Sequence, residues 1–249
     1  RDNVMNFYRT WYAPNNAVLI ISGDVTAAAV RPLAEKTYGR IPARAVPARA
    51  WTDVPPLLGL PRLVMRHPAI RQPSFYRLYR VPSLKQSKAD SLALEVLSSI
   101  MIDGQRSRLY KALVVDKKIA TGVSFSYSSA ARSDSTLSIS ATPAAGASLE
   151  ALEAAVDEEL RRLVRDGVTD EELGAAVTRL KNAYDFSRDS ISGPAMSFGQ
   201  ILKTGGSIDD LEYWAYDIQQ LTTAQLRDVA KRFLDPDEIN KRPYVTGFI

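Results

Sequence analysis

Apolar positions recur along this chain with two different periods, and the changes of period mark its elements. Residues 2–12 repeat at helical spacing, and Ala17-Val18-Leu19-Ile20-Ile21 is a continuous apolar run of strand length, so a helix, a Pro14-Asn15 turn and a strand at 17–22 are predicted. Val30, Leu33 and Ala34 share one side of a helix over 26–38, with Thr26 or Asp24 at its cap and Gly39 at its end. Alternation then predicts strands at 62–66 and 74–81. Apolar residues cover most of the circumference of 87–102, which marks a buried helix broken by Gly104. A shorter helix carries Leu109, Leu113 and Val114.

Val123, Phe125 and Tyr127 alternate, as do Leu137, Ile139 and Ala141, so 119–130 and 135–142 read as paired strands turned by Arg132-Ser133-Asp134. The remainder is mainly helical. Leu149, Leu152, Val156, Leu160 and Leu163 form one stripe, with Asp157/Arg161 and Glu158/Arg162 as i,i+4 pairs on its wet side. Gly167 stops that helix, and Thr169-Asp170-Glu171-Glu172 is a capping box that opens the next. Helices near 193–203, 208–219 and 222–234 follow, then a strand at 244–249. Strands followed by helices predict an α+β fold, a mostly antiparallel sheet with helices packed on one face.

The two ends of this pattern are alike. Helix, proline turn and strand at the start return at the end, and Pro14 aligns with Pro236 at an offset of 222 residues (236 − 14). A repeat this long implies duplicated domains rather than a solenoid. The chain, which opens on Arg1, therefore reads as the tail of one unit followed by all of a second, with about 160 residues of the first unit expected upstream. Between them, Arg40 to Pro56 is rich in Pro, Ala and Arg. Prolines 42, 47, 55 and 56 forbid regular ladders, so this is a semi-extended linker, with Trp51 placed to pin it to a domain surface.

Composition narrows the function. The charge balance of 32 basic to 28 acidic residues gives +4, and the basic residues are scattered, so no nucleic-acid partner is expected. There is no cysteine and no apolar run near the ~20 residues that cross a bilayer, so disulfides, thiolate sites and a helical membrane span are excluded. His67 is the only histidine. A catalytic zinc site normally takes three protein ligands, largely His, Cys and carboxylate, so no cofactor is assigned to this chain and His67 reads as a strand-end residue. No phosphate-binding glycine loop, G-x-S-x-G elbow or EF-hand loop is present. The acidic runs at Asp157-Glu158-Glu159, Asp170-Glu171-Glu172 and Asp209-Asp210 lack a base or metal partner and read as helix-start and solvent-face groups. Tyr76, Tyr79, Phe125 and Tyr127 read as half-buried strand aromatics, with a groove lining as the alternative.

Three segments carry a family resemblance. Phe7-Tyr8-Arg9-Thr10-Trp11-Tyr12-Ala13-Pro14-Asn15-Asn16 with Ala17 to Val25 resembles the end of the first homologous domain of pitrilysin/insulinase-type zinc peptidases, the inverzincins, as found in bacterial processing-peptidase-like members. Asp103-Gly104-Gln105-Arg106-Ser107-Arg108-Leu109-Tyr110 through Val114, then Lys118-Ile119-Ala120, resembles a segment of that family's second domain. Ile139 to Pro143 with Ser148-Leu149-Glu150 is the third match. The resemblance implies a metallopeptidase-type α/β roll, with residues 1–45 the tail of the catalytic domain, 46–60 a linker and 61–249 the second, non-catalytic domain.

In that family the first domain carries zinc on an H-x-x-E-H motif, and the second forms the other wall of a chamber for extended peptides. No H-x-x-E-H occurs here. The resemblance thus implies zinc in a parent or partner catalytic domain, no activity from this chain alone, a peptide substrate, and pairing with an N-terminal catalytic domain or a homologous subunit. The stretch Thr136 to Ser148, where second domains often place a substrate-contacting Arg and Tyr, has neither. The residues expected to contact substrate are Arg108 and Tyr110 inside the second matched segment, and Tyr127 and Arg132 near the displaced position. Two readings stand: a substrate-binding half of a zinc endopeptidase, or an inactive assembly subunit. A general RNA-binding domain is a distant third. Family habit points to a bacterial periplasm or envelope, with the cytoplasm as the alternative.

Overall fold

The computed structural model describes residues 1–50, 52, 54–55, 57–238 and 244–249. The anchoring expected of Trp51 lies outside these residues. The chain divides into two compact units, Arg1–Pro55 with Ser187–Gln200, and Pro56–Phe186 with Ile201–Ile249.

In the smaller unit, α1 (Asp2–Trp11) is closed at its C-terminus by Asn16, whose Nδ2 donates to Trp11 O at 2.8 Å. Pro14 then opens a single 3-10 turn, where a missing N–H costs nothing. Asn15 makes a reciprocal pair with Arg44: its Nδ2 donates to Arg44 O at 3.0 Å and its Oδ1 accepts the Arg44 N–H at 3.1 Å. The helix α2 (Ala27–Thr37) is capped by Thr26, not Asp24. The run 17–22 is a difference from expectation. It carries no ladder among the described residues, and Val18, Leu19 and Ile21 are exposed. Composition favours a strand there, but a strand also needs a neighbour for its N–H and C=O groups.

The larger unit is built on a five-stranded sheet of order β1-β5-β2-β4-β3. Its strands are β1 (Arg62–Val64), β2 (Phe75–Val81), β3 (Ala120–Tyr127), β4 (Ser135–Pro143) and β5 (Tyr244–Phe248). Only β1 and β5 run parallel. The fold is α+β, as the sequence predicts. One face of the sheet holds Phe75, Tyr79, Val81, Phe125, Leu137, Ile139, Ala141, Tyr244 and Phe248 in the core. Over it pack α3 (Lys88–Ile102), α5 (Leu149–Asp166) and, against both helices, α10 (Thr223–Phe233). Each has a side-chain N-cap: Ser87, Ser148 and Thr222.

Between α3 and β3, the short helix α4 (Arg108–Tyr110) runs into a π turn at Lys111–Asp116, which lets Leu109, Ala112 and Leu113 all reach the core. The capping box forms as predicted and opens α6 (Asp170–Arg188); α7 (Gly193–Thr204) follows. The helix expected over 208–219 is broken at Tyr213 into α8 (Ile208–Glu212) and α9 (Trp214–Gln219), where the Trp214 indole donates to Glu95 Oε2 at 2.7 Å.

The core also holds a guanidinium. Arg77, on the buried face of β2, has no solvent exposure. Its guanidinium donates to Asp157 and, at 3.1 Å, to Glu153, both on α5, and lies 4.2 Å over the Tyr244 ring. Glu153 also accepts Arg62 of β1 at 2.7 Å. Burial alone would lower the Arg77 pKa; Tyr79, Asp157 and Tyr244 overcome it and hold it raised. This corrects the expected wet-side pairing. Asp157 turns to the sheet, Arg161 pairs with Asp237 at 3.0 Å, and only Glu158 keeps its i,i+4 partner Arg162. Glu159, expected on a solvent face, is buried, and burial raises its carboxyl.

Removing one member of a buried pair strands the other charge, which costs about 3–5 kcal/mol. Asp157→Ala is therefore expected to lower stability by about 3 kcal/mol in urea unfolding, whereas the double change Arg77→Met with Asp157→Leu costs less than the single one.

Candidate functional site

The sheet face turned away from α3, α5 and α10 is open. Pairing sets its rows. Ser124 of β3 lies beside Ser140 of β4, then Tyr76 of β2, Gly247 of β5 and Leu63 of β1. The next row is Ser126, Ser138, Leu78 and Val245. Tyr76 and Leu78 are each 42% exposed and Leu63 62%, in contrast to their fully buried strand neighbours Phe75 and Arg77. Five strands at about 4.8 Å spacing make a shelf ~19 Å across. Hydroxyls line its β3–β4 half and apolar side chains its β2–β5–β1 half. Arg80, in the row beyond beside Thr136, is ion-paired with Asp134. The shelf thus offers hydroxyl and apolar contacts in extended-chain register and no uncompensated charge in these rows.

The four expected contact residues fall in two places. Arg108 is engaged internally: Nε donates to Glu172 Oε1 at 2.7 Å, and one terminal nitrogen donates to Glu172 Oε2 at 2.6 Å and Gly167 O at 2.8 Å. It ties α4 to the α5–α6 turn, where Gly167 has the left-handed φ of 73° that ends α5. Tyr110, two residues on, is half-buried. Tyr127 is on β3, with its hydroxyl donating to Pro82 O at 2.7 Å and hydrogen-bonded to Ser91 Oγ at 3.0 Å. Arg132 lies half-buried in the β3–β4 connection. Of the four strand aromatics, Tyr79 and Phe125 are core, Tyr127 is half-buried, and Tyr76 alone stands on the shelf.

The shelf residues Ser124, Ser126, Ser138, Ser140 and Leu78 carry no motif. The signal for them is the period-2 pattern of three strands, which groups residues by face but leaves the strand pairing open.

His67 is exposed and accepts the Ala69 N–H on Nδ1 at 3.2 Å. Among the described residues no group of three His, Cys, Asp or Glu side chains is placed to hold a metal ion. The described residues supply no zinc-ligand set, and no step of chemistry is assigned through one.

The sequence matches the family described as Peptidase M16 inactive domain over residues 1–180. The chain belongs to the peptidase M16 inactive-domain family. This M16 inactive domain is 25% identical over 236 residues to the zinc protease PqqE of Helicobacter pylori, covering 94% of the chain but 49% of the relative. It thus spans about half the length of that curated relative. In fold it is similar to a protease from Helicobacter pylori, with a TM-score of 0.88, 22% identity, and coverage of 99% of this chain and 58% of the other. The first half of the periplasmic protease PqqL from Escherichia coli matches at TM-score 0.75 and 17% identity, over 99% of this chain and 54% of that one. A peptidase M16 inactive domain from Pseudomonas fluorescens matches at 0.73 and 17%, over 90% and 52%. At these identities the structures establish shared fold.

The Arg108–Glu172 pair also sets a pH response. Partial burial pushes the Glu172 carboxyl up, but Arg108 and the Thr169 N–H and hydroxyl outweigh it and hold it below its usual 4.5. A lowered folded-state pKa gives stability that is present above the unfolded value and lost as pH falls through the folded one. Urea midpoints measured between about pH 6 and pH 3 should fall, and Arg108→Ala should flatten the part of that fall due to Glu172.

Proposed function

We propose that this M16 inactive domain is the non-catalytic, substrate-binding half of a zinc-dependent endopeptidase that acts on extended or unfolded peptides, with the zinc-bearing domain outside this chain. The observation that carries this reading is the open shelf. Its rows of Ser124, Ser140 and Tyr76, and of Ser126, Ser138 and Leu78, repeat along the strands at the spacing of an extended peptide's own side chains. Hydroxyls that can donate or accept, set beside apolar side chains, suit peptides of varied sequence. Arg132 and Tyr110, the latter on the helical side of the sheet, are retained as candidate peptide contacts, while the internal bonds of Arg108 and Tyr127 give those two a supporting role. Family membership and the zinc protease relative support the division of labour. A periplasmic location, by analogy with the Escherichia coli relative, belongs to the same proposal.

Fluorescence anisotropy with a labelled, uncharged unfolded peptide tests it. Saturable binding is expected, weakened at least about tenfold by Leu78→Asp or Ser138→Asp on the shelf. No zinc-dependent cleavage is expected from the chain alone. Absence of binding would favour the assembly-subunit reading, and zinc-dependent turnover by the isolated chain would overturn the division of labour.

A further inference from the structure

At one end the shelf runs into a connection with unmatched positive charge. Residues 65–74 join β1 to β2, and both feet of this connection belong to the sheet. The Met65 N–H donates to Phe248 O at 2.8 Å, and Ser74 exchanges two bonds with Ile249, at 2.7 and 3.0 Å. Met65 shares the face of Leu63 and is itself exposed, so the shelf continues up to the connection. Between the feet, His67 to Ile70 form a turn closed by the Ile70 N–H on His67 O at 2.9 Å, with Pro68 at its second position and the Ala69 N–H on the His67 ring. Arg66 and Arg71 flank this restrained turn, and both are exposed.

Residues 65–74 contain no Asp or Glu. Among the described residues, the side chains of Arg66 and Arg71 have no carboxylate or carbonyl partner. By contrast Arg62, Arg77, Arg80, Arg108 and Arg232 of the same unit each meet a carboxylate. The fold therefore draws nothing from the charges of Arg66 and Arg71.

The same end of the sheet holds a third cation. Ala120, which opens β3, pairs with Pro143, which ends β4, and Ala141 of β4 pairs with Phe75, which opens β2. Lys118 thus stands at the end where residues 65–74 lie. It is exposed and has no partner among the described residues, and its φ of 54° is a left-handed conformation that a β-carbon disfavours. The other connection at this end, Pro143 to Ser148, carries no charge. Glu150 and Glu153, which follow it, belong to α5 on the covered side, and Glu153 is taken by Arg62 and Arg77.

We propose that this end of the shelf reads carboxylates. The proposal rests on the peptide reading above and gives it a substrate class. An uncharged stretch of extended peptide lies along the rows, and acidic side chains, Asp or Glu, follow it at Arg66 and Arg71. Leu78 to Ser74 spans about 13 Å of strand, so about four uncharged residues of the peptide cover the rows before the first acidic one. Guanidinium groups suit this task because their paired N–H donors match the two oxygens of a carboxylate. Lys118 adds attraction without that geometry.

Anisotropy with labelled peptides blocked at both ends tests it. One peptide is an uncharged core, and two others carry Glu-Glu on its N-terminal or its C-terminal side. One of the acidic peptides is expected to bind about fivefold tighter than the core at low salt, with the gain lost by about 0.5 M salt. Arg66→Gln with Arg71→Gln should bring that peptide down to the affinity of the core. Arg31→Gln with Lys36→Gln removes the same charge from exposed positions on α2 of the smaller unit and should leave the gain intact. That comparison separates a site from the effect of the chain's net charge of +4. Three results would overturn this proposal alone while the core still binds: no gain for either acidic peptide, a gain that survives the change at Arg66 and Arg71, or one lost equally by the change at Arg31 and Lys36. Failure of all three peptides to bind would overturn the peptide reading and this proposal together.

Discussion

A single buried guanidinium ties the larger unit together. Arg77 sits in the central strand of the sheet with no access to water, and everything around it serves to keep its charge there. Asp157 and Glu153 reach down from α5, one helical turn apart, while the Tyr244 ring of β5 lies against its face. Through Glu153 the same network takes in Arg62 of β1. Three adjacent strands and one helix are therefore fixed in mutual position by one polar cluster. A purely apolar interface could tolerate a helix sliding by a residue; this one cannot, because a slide would leave the charge unpaired in a medium that does not forgive it.

That constraint also determines which side of the sheet is left open. With Arg77 held inward, Tyr76 and Leu78 must face outward, since neighbouring residues of a strand point to opposite faces. The same parity runs through β4, where Leu137 and Ile139 turn inward and Ser138 and Ser140 outward. The shelf is thus a consequence of the core. On the helical side the Arg108–Glu172 pair does comparable work, locking the matched segment around Arg108 against the glycine turn that ends α5.

The elements of this fold were largely legible in the sequence, because its helices carry clear stripes and caps and its strands alternate. The faces were less so. In Phe75 to Val81 both alternating sets contain apolar residues and an arginine, and only the acidic pair on α5 decides between them. Glu153 and Asp157 flank the stripe of Leu152, Val156 and Leu160 at i,i+4 spacing, which was a usable signal, but Asp157 also stands four residues from Arg161 and the local pairing looked sufficient. The shelf was invisible for a different reason: its members come from separate strands, and register is a property of the pairing. Arg108 and Tyr127 were picked out by the resemblance, which marks position; it says nothing of the internal hydrogen bonds that occupy them here.

The place of β5 in the sheet bears on how the chain comes to be folded as it is made. β5 is an inner strand, flanked by β1 and β2, which are made long before it. Until β5 leaves the ribosome, β1 has no partner among the described strands and β2 has one bare edge. The nascent chain must carry an incomplete sheet while the helices between β4 and β5 are made, with Arg77 awaiting the ring of Tyr244. Closing the sheet belongs to this one five-residue strand, and its arrival completes the surroundings of Arg77.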